Sequence, residues 1–291
     1  MDLFEHAGSV MSEFANEKQS DEVIICVAPH PGDKERGDFP MKIDVPDEVV
    51  RACNAGASIA HLHVRDREGL QTTDTSLFQH QIEEIHAACS MIVEGSTGGT
   101  PAHTLAERSV SINVPGIEMG SLNLGSVNMG GSVYLNPMSD IRYYATALKA
   151  RNIKPFLIVF DLSMFHNASR IRAEGLLEGT QVYNLVFDIP DTLPYSPKTL
   201  DIFLDQLPEG AIWFISRHHA QGSKGFLYAL ERGGCIRVGF EDGPFLSTGD
   251  RARSNAELVE EIVRSAESAG RKVVDPQRAR EIFGIPALKR R

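Results

Sequence analysis

Residues 58–66 read SIAHLHVRD, and the rest of the chain can be worked out from them. In an extended strand successive side chains alternate faces, so His61 and His63 point one way while Ala60, Leu62 and Val64 point the other. The apolar set suits a face covered by helices, and the histidines then look inward. Residues 235–242, CIRVGFED, repeat the arrangement: Ile236, Val238 and Phe240 on one side, Arg237, Gly239 and Glu241 on the other. Two strands thus aim polar groups into an interior that should be packed. Burying such groups alone is costly, so they must pair with each other or hold an ion.

Outward from these stretches, short apolar runs alternate with helical periodicity. Strands are expected at 23–28, 58–64, 91–94, 116–122, 156–160, 182–187, 211–215 and 236–241. Helices are expected at 46–54, 76–88, 140–151, 163–176 and 197–206, with Phe78, Ile82 and Ile85 marking one buried face. Ser254 with Glu257 reads as a capping box, and Asp275-Pro276 as a cap followed by proline at the first helical position. Eight strands alternating with helices predict a (β/α)8 TIM barrel of the α/β class, with a doubly wound open sheet as the other arrangement. The expected organisation is a tail or short surface helix over 1–20 and one barrel domain with a C-terminal helix over 21–291.

Composition narrows the partners. With 291 residues and 42% hydrophobic content, the chain can bury one large core. A net charge of −10 with scattered basic residues argues against nucleic acid and anionic membrane, and the KRR at 289–291 is too short to alter that. The longest apolar run, 156–160, falls far short of the roughly 20 residues that cross a bilayer. An acidic N-terminal stretch, MDLFEHAGSV, leads us to expect a cytoplasmic protein. Cys26, Cys53, Cys89 and Cys235 lack CxxC spacing, so buried free thiols are expected.

Two imidazoles and a carboxylate, His61, His63 and Glu241, fit a catalytic zinc or another divalent ion with an open position. His-x-His alone is a weak signal; Glu241 on a second strand strengthens it. Arg237 and Asp242 read equally as a buried structural pair or as functional groups. Ser96, Thr97 and Gly98 sit in a Ser-Thr-Gly-Gly turn whose hydroxyls and amides can grip an anion or carbonyl, though a plain glycine turn explains it too. Ser126 and Asn128, among Gly120, Gly125, Gly130 and Gly131, form a ligand-approach loop or simply turns. Arg217, His218 and His219 are acid–base candidates or exposed loop residues. No GxGxxG follows a strand and no GxxxxGK[ST] occurs, so dinucleotide and P-loop readings have no support.

AGASIAHLHVRD (55–66), STGG (96–99), LPEGAIW (207–213), GGCIRVGFED (233–242) and SNAELVE (254–260) together resemble the β-keto acid cleavage enzymes, the family of the 3-keto-5-aminohexanoate cleavage enzyme. The resemblance runs from about residue 23 to residue 283. It implies a zinc-bearing (β/α)8 barrel, a homo-oligomer, that condenses a β-keto acid with acetyl-CoA to give acetoacetate and a new acyl-CoA. It matches His61, His63 and Glu241 to the metal ligands and Ser96, Arg237 and Asp242 to the catalytic polar group, with Asp242 as base. Thr97, Gly98, Ser126 and Asn128 are the expected substrate contacts. Departures bear on the substrate: Gly243 follows Asp242 where the family commonly has Asn, and 28–33 read APHPGD in place of a Gly-Ala stretch. Phe156 and Ile158 replace two alternate glutamates of the aminohexanoate enzyme, and SRHHAQ at 216–221 is also distinct. A barrel lyase or aldolase without CoA, or a binding protein that keeps the metal without turnover, are the rival readings.

Overall fold

The computed structural model describes residues 21–31, 43–99, 103–218 and 222–288. The expected N-terminal tail or helix, residues 32–33 of the APHPGD stretch, residues 219–221 of the SRHHAQ stretch (His219 among them) and the KRR at 289–291 lie outside these residues. The strands in chain order are β1 (Glu22–Val23), β2 (Ile25–Val27), β3 (Ile59–Leu62), β4 (Ile92–Gly95), β5 (Met119–Asn123) and β6 (Val127–Met129). They continue with β7 (Ser132–Tyr134), β8 (Lys154–Val159), β9 (Val182–Phe187), β10 (Ile212–Arg217), β11 (Cys235–Val238) and β12 (Lys272–Val273). Eight of them, in the order β10-β11-β2-β3-β4-β5-β8-β9, close into an all-parallel barrel. Pairing of β11 with β2 (Arg237 opposite Cys26) joins the two ends of the chain and excludes the open doubly wound sheet.

Local chemistry fixes the helices between the strands. Helix Val45–Ala55 starts where Asp44 accepts from the Asp47 amide and stops at Gly56, whose φ of 117° suits a residue without Cβ. At helix Asn255–Ser268 the Ser254 hydroxyl accepts from the Glu257 amide as expected. The reciprocal half differs: the Glu257 carboxylate accepts from the Arg253 amide at 2.7 Å, one residue earlier than a capping box requires. Asp275 caps helix Pro276–Phe283 through the Arg278 amide. Among the described residues, no helix is long and apolar enough to cross a membrane. All four cysteines are free; Cys26 and Cys235 are buried, whereas Cys53 and Cys89 are half-buried.

Several strand ends differ from expectation by up to three residues, two of them as follows. β8 starts at Lys154, and β11 ends at Val238, three residues before Glu241. Tyr183 packs on Phe165 and Phe187 on Phe203, so the odd residues of β9 face the helices while Val182, Asn184 and Val186 face the barrel axis. Strand tilt moves the level up one register step per strand. The ladders therefore place His61, Ser121, Asn184 and Arg237, from alternate strands, in one interior layer. Below it Phe156 meets Phe214 edge-on at 5.2 Å, and Phe283 backs Phe214 from the last helix.

That last helix also brings Arg280 into the base of the barrel, with no exposed surface. Its fork donates to Glu118 from Nε (2.6 Å) and from the second terminal nitrogen (2.7 Å). The Ser90 and Met91 carbonyls accept from it as well, at 2.7 and 3.2 Å. Removing one partner of a buried ion pair strands the other, at about 3–5 kcal/mol. Arg280→Ala should lower unfolding free energy in urea by that amount, whereas Arg278→Ala, at a solvent-exposed pair, should have a much smaller effect. Equal effects at the two sites would refute this view of the barrel base.

Candidate active site

His61 lies on β3 and His63 just past its end, both on the inward face, and their Nε2 atoms stand 3.1 Å apart. Glu241 reaches the same point by another route than strand alternation. After Val238 the chain turns at Gly239, φ 153°, where any Cβ would lie 2.2 Å from the Ala28 carbonyl oxygen. The turn lays the Glu241 amide on that carbonyl at 3.2 Å and swings its carboxylate into the barrel mouth. The strand-based placement of Glu241 is thus corrected: a glycine-dependent turn across β2 positions it.

His61 Nε2 is 3.5 Å from Glu241 Oε1, and His63 Nε2 is 3.3 Å from Oε2. One donor atom from each of the three residues lies within 4.8 Å of the other two. The three residues form a group able to hold a metal ion. Glu241 Oε2 is buried and accepts no hydrogen bond among the described residues, which leaves a lone pair for such an ion. Glu94, fully buried on β4, takes the far side of the His61 ring at Nδ1 and accepts from the Ser121 hydroxyl at 2.6 Å. This fixes the ring and turns Nε2 toward the cluster. Burial alone would pull the His61 pKa down, but Glu94 and then Glu241 raise it to about 9, so the site favours positive charge at that ring. The donors and their field fit a divalent cation.

Beside the cluster, Arg237 donates from Nε to Asp242 Oδ2 at 2.9 Å and from a terminal nitrogen to Oδ1 at 3.0 Å. The same terminal nitrogen reaches Glu241 Oε1 at 2.5 Å. His218 Nε2 stands 3.4 Å from Asp242 Oδ1. It arrives there because β10 runs to Arg217, longer than expected, and His218 continues the inward parity of Phe214 and Ser216. Arg217 points away, pairing with Asp188 at 2.8 Å and stacking on Tyr195. The Gly243 amide donates to the Gly239 carbonyl at 2.9 Å and closes the turn.

Ser96 borders the histidines: its Oγ accepts from the Gly98 amide at 3.0 Å. A Cβ on Gly98 would lie 3.7 Å from His63 Cε1, so that glycine keeps the space beside the ring open. Thr97 is fully buried and spends its hydroxyl on the Ser121 carbonyl at 3.0 Å. Ser126 is exposed and accepts from the Asn136 amide, pinning the β6–β7 hairpin; Asn128 is exposed within it, opposite Val133. Glu94, Arg108 and Tyr134 escaped the sequence reading. Glu94 shares the inward parity of Ser96 on its strand, a signal that was available. Tyr134 ends a short hairpin without periodicity, and Arg108 reaches it from a four-residue helix, Leu105–Arg108.

A closed parallel barrel with a His, His, Glu cluster at the C-terminal mouth defines a barrel enzyme built around a metal-competent centre. The profile of the beta-keto acid cleavage enzyme family matches residues 22–285, and the chain belongs to that family. It is 34% identical over 247 residues to the 3-keto-5-aminohexanoate cleavage enzyme of Fusobacterium nucleatum subsp. nucleatum, covering 83% of this chain and 89% of that one. It is 31% identical over 270 residues to the 3-oxoadipate:acetyl-CoA acetyltransferase of Cupriavidus necator, covering 87% and 93%. The apo structure of ObcA shares the fold, with a TM-score of 0.68 at 18% identity; 83% of this chain spans 64% of that one.

Partners that orient a metal-ligating histidine typically contribute about 10–100-fold in metal affinity. Glu94→Gln, which keeps the shape and removes the charge, should weaken the affinity for an added divalent ion by that factor in a chelator competition titration. An unchanged affinity would remove Glu94 from the centre.

Proposed function

We propose that this protein is a zinc-dependent β-keto acid cleavage enzyme, converting a β-keto acid and acetyl-CoA into acetoacetate and a new acyl-CoA. The observation that carries the reading is that one guanidinium, Arg237, grips both Glu241 of the donor triangle and Asp242. A base is thereby held against the place where a chelated keto acid sits. His61, His63 and Glu241 are the proposed ligands; another divalent ion can take the same donors. When bound, the ion supplies Lewis-acid polarisation of the keto acid and offsets enolate charge.

In this reading Asp242 removes a proton from C2 of the β-keto acid. C2 attacks the acetyl carbonyl of acetyl-CoA and the CoA thiolate leaves. The thiolate then attacks the original keto carbon, the bond from that carbon to C2 breaks, and Asp242 returns its proton to C2 of the departing acetoacetate. Arg237 keeps Asp242 oriented through both transfers. Its two-pronged contact is suited to that, because a planar fork holds a carboxylate in one plane. Ser96 beside His63 is the proposed substrate hydroxyl, with the Gly98 side of the turn as the approach. The exposed positions of Ser126 and Asn128 favour contacts to the larger co-substrate.

The variable part of the keto acid faces the opposite wall. Ile158, Val186, Asn184 and Ser216 are the inward residues there, buried and uncharged, and the Asn184 amide donates to the Ser216 hydroxyl at 3.1 Å. Such a wall offers no carboxylate to an ammonium group, so the proposed side chain is neutral or anionic. Acetyl-CoA as co-substrate fits a cytoplasmic enzyme, and we include a homo-oligomer in the proposal.

The purified protein should hold close to one divalent ion per chain by elemental analysis, and the His61→Ala/His63→Ala double variant should hold none. Metal retained in that variant would sink the assigned centre. Incubation with acetyl-CoA and a panel of β-keto acids should yield acetoacetate and a new acyl-CoA by mass spectrometry, with nothing formed when acetyl-CoA is omitted. Asp242→Asn should lower kcat by about 10²–10⁴-fold, the usual contribution of a positioned base.

A further inference from the structure

Tyr134 closes the β6–β7 hairpin, and its ring stands edge-on to Phe160 at 6.3 Å, just beyond the end of β8. Arg108 lies over the ring, 5.3 Å from its centroid, and donates to the phenol oxygen at 3.3 Å. Arg108 is itself rigidly held: it is buried, and donates to the Thr97 carbonyl (3.2 Å), the Leu135 carbonyl (3.0 Å) and Asn136 Oδ1 (2.6 Å). The phenol oxygen is therefore already used as an acceptor, and no described residue accepts its hydrogen.

The hydroxyl faces the donor cluster. A Cβ built on Gly98 would lie 3.7 Å from the Tyr134 oxygen and 3.7 Å from His63 Cε1, so the two groups look at each other across the space that glycine leaves open. Burial and the nearby Glu241 charge raise the phenol pKa, Arg108 only partly opposing them, and the group stays protonated at neutral pH. A buried hydroxyl that receives a bond from a guanidinium and has its own hydrogen to spare is a polarised donor.

We propose that the Tyr134 hydroxyl, held by Arg108, donates a hydrogen bond to the keto oxygen of the β-keto acid and to the enolate oxygen that develops from it. This rests on the function proposed above and adds a second donor to the oxygen that carries the charge. Preorganised donors of this kind contribute about 10²–10³-fold to kcat. A tyrosine kept only for packing would lose little on becoming phenylalanine, since the ring contacts with Phe160 and Arg108 remain.

The test uses the metal-loaded full chain carrying Tyr134→Phe. Metal content and melting temperature should match the wild type, KM for acetyl-CoA should be unchanged, and kcat should fall about 100-fold. Acetoacetate, used as the probe in calorimetry, should bind about tenfold more weakly. Gly98→Ala, which fills the space between the hydroxyl and His63, should weaken acetoacetate in the same way while retaining metal. Wild-type kcat and acetoacetate affinity in Tyr134→Phe, alongside an active wild type, would overturn this role and leave the proposed function standing. A parallel loss of metal or melting temperature in Tyr134→Phe would make the residue structural and overturn it too. A wild-type protein that neither turns over β-keto acids nor binds acetoacetate would overturn the function, and the donor role with it.

Discussion

Everything at the mouth of this barrel depends on one buried guanidinium between two carboxylates. Arg237 sits 6% exposed in the same interior layer as His61, and Glu241 and Asp242 are the carboxylates that its fork contacts there. Burial works against its charge, and Asp242 and then Glu241 restore it. A lysine in its place would be a point charge unable to fix two carboxylates in set planes. The fork therefore serves geometry more than stability: it holds Glu241 beside the imidazoles and fixes Asp242 through both of its oxygens.

The two ends of the barrel use the same chemistry for different ends. At the base, Arg280 is enclosed by Glu118 and by backbone carbonyls, so every contact is internal and the result is a plug. At the mouth, Arg237 holds carboxylates whose remaining lone pairs are not all used, Glu241 Oε2 among them. A satisfied buried network rigidifies, whereas a buried acceptor without a donor at a cleft marks a candidate functional site. This difference in saturation, more than the presence of charge, separates the functional end from the structural end.

Much of this was readable from the chain. Alternating polarity in 58–66 indicated which way His61 and His63 face, because strand parity is a local property. The closure into a barrel followed from counting strand and helix alternations. Glu241 does reach the histidines, but not by the strand parity that the sequence suggests, because Gly239 ends the strand after Val238. Ser254 and Glu257 likewise promised a reciprocal cap, yet the carboxylate found a different amide. Both misreadings come from backbone geometry at an element end, which depends on what the chain meets next.

Fold class, the two strands that carry the imidazoles and the guanidinium, and the family are legible in the chain alone. These rest on periodicity and on contiguous motifs, both of which survive without knowledge of contacts. Folding in three dimensions is what brings Glu94 to His61, His218 to Asp242, and Arg108 to Tyr134 beside Gly98. Each of those pairs joins residues on different strands, helices or loops, and their distance is set by ladder register and loop path. No spacing along the chain encodes such a distance, because closing the barrel is what brings the partners together.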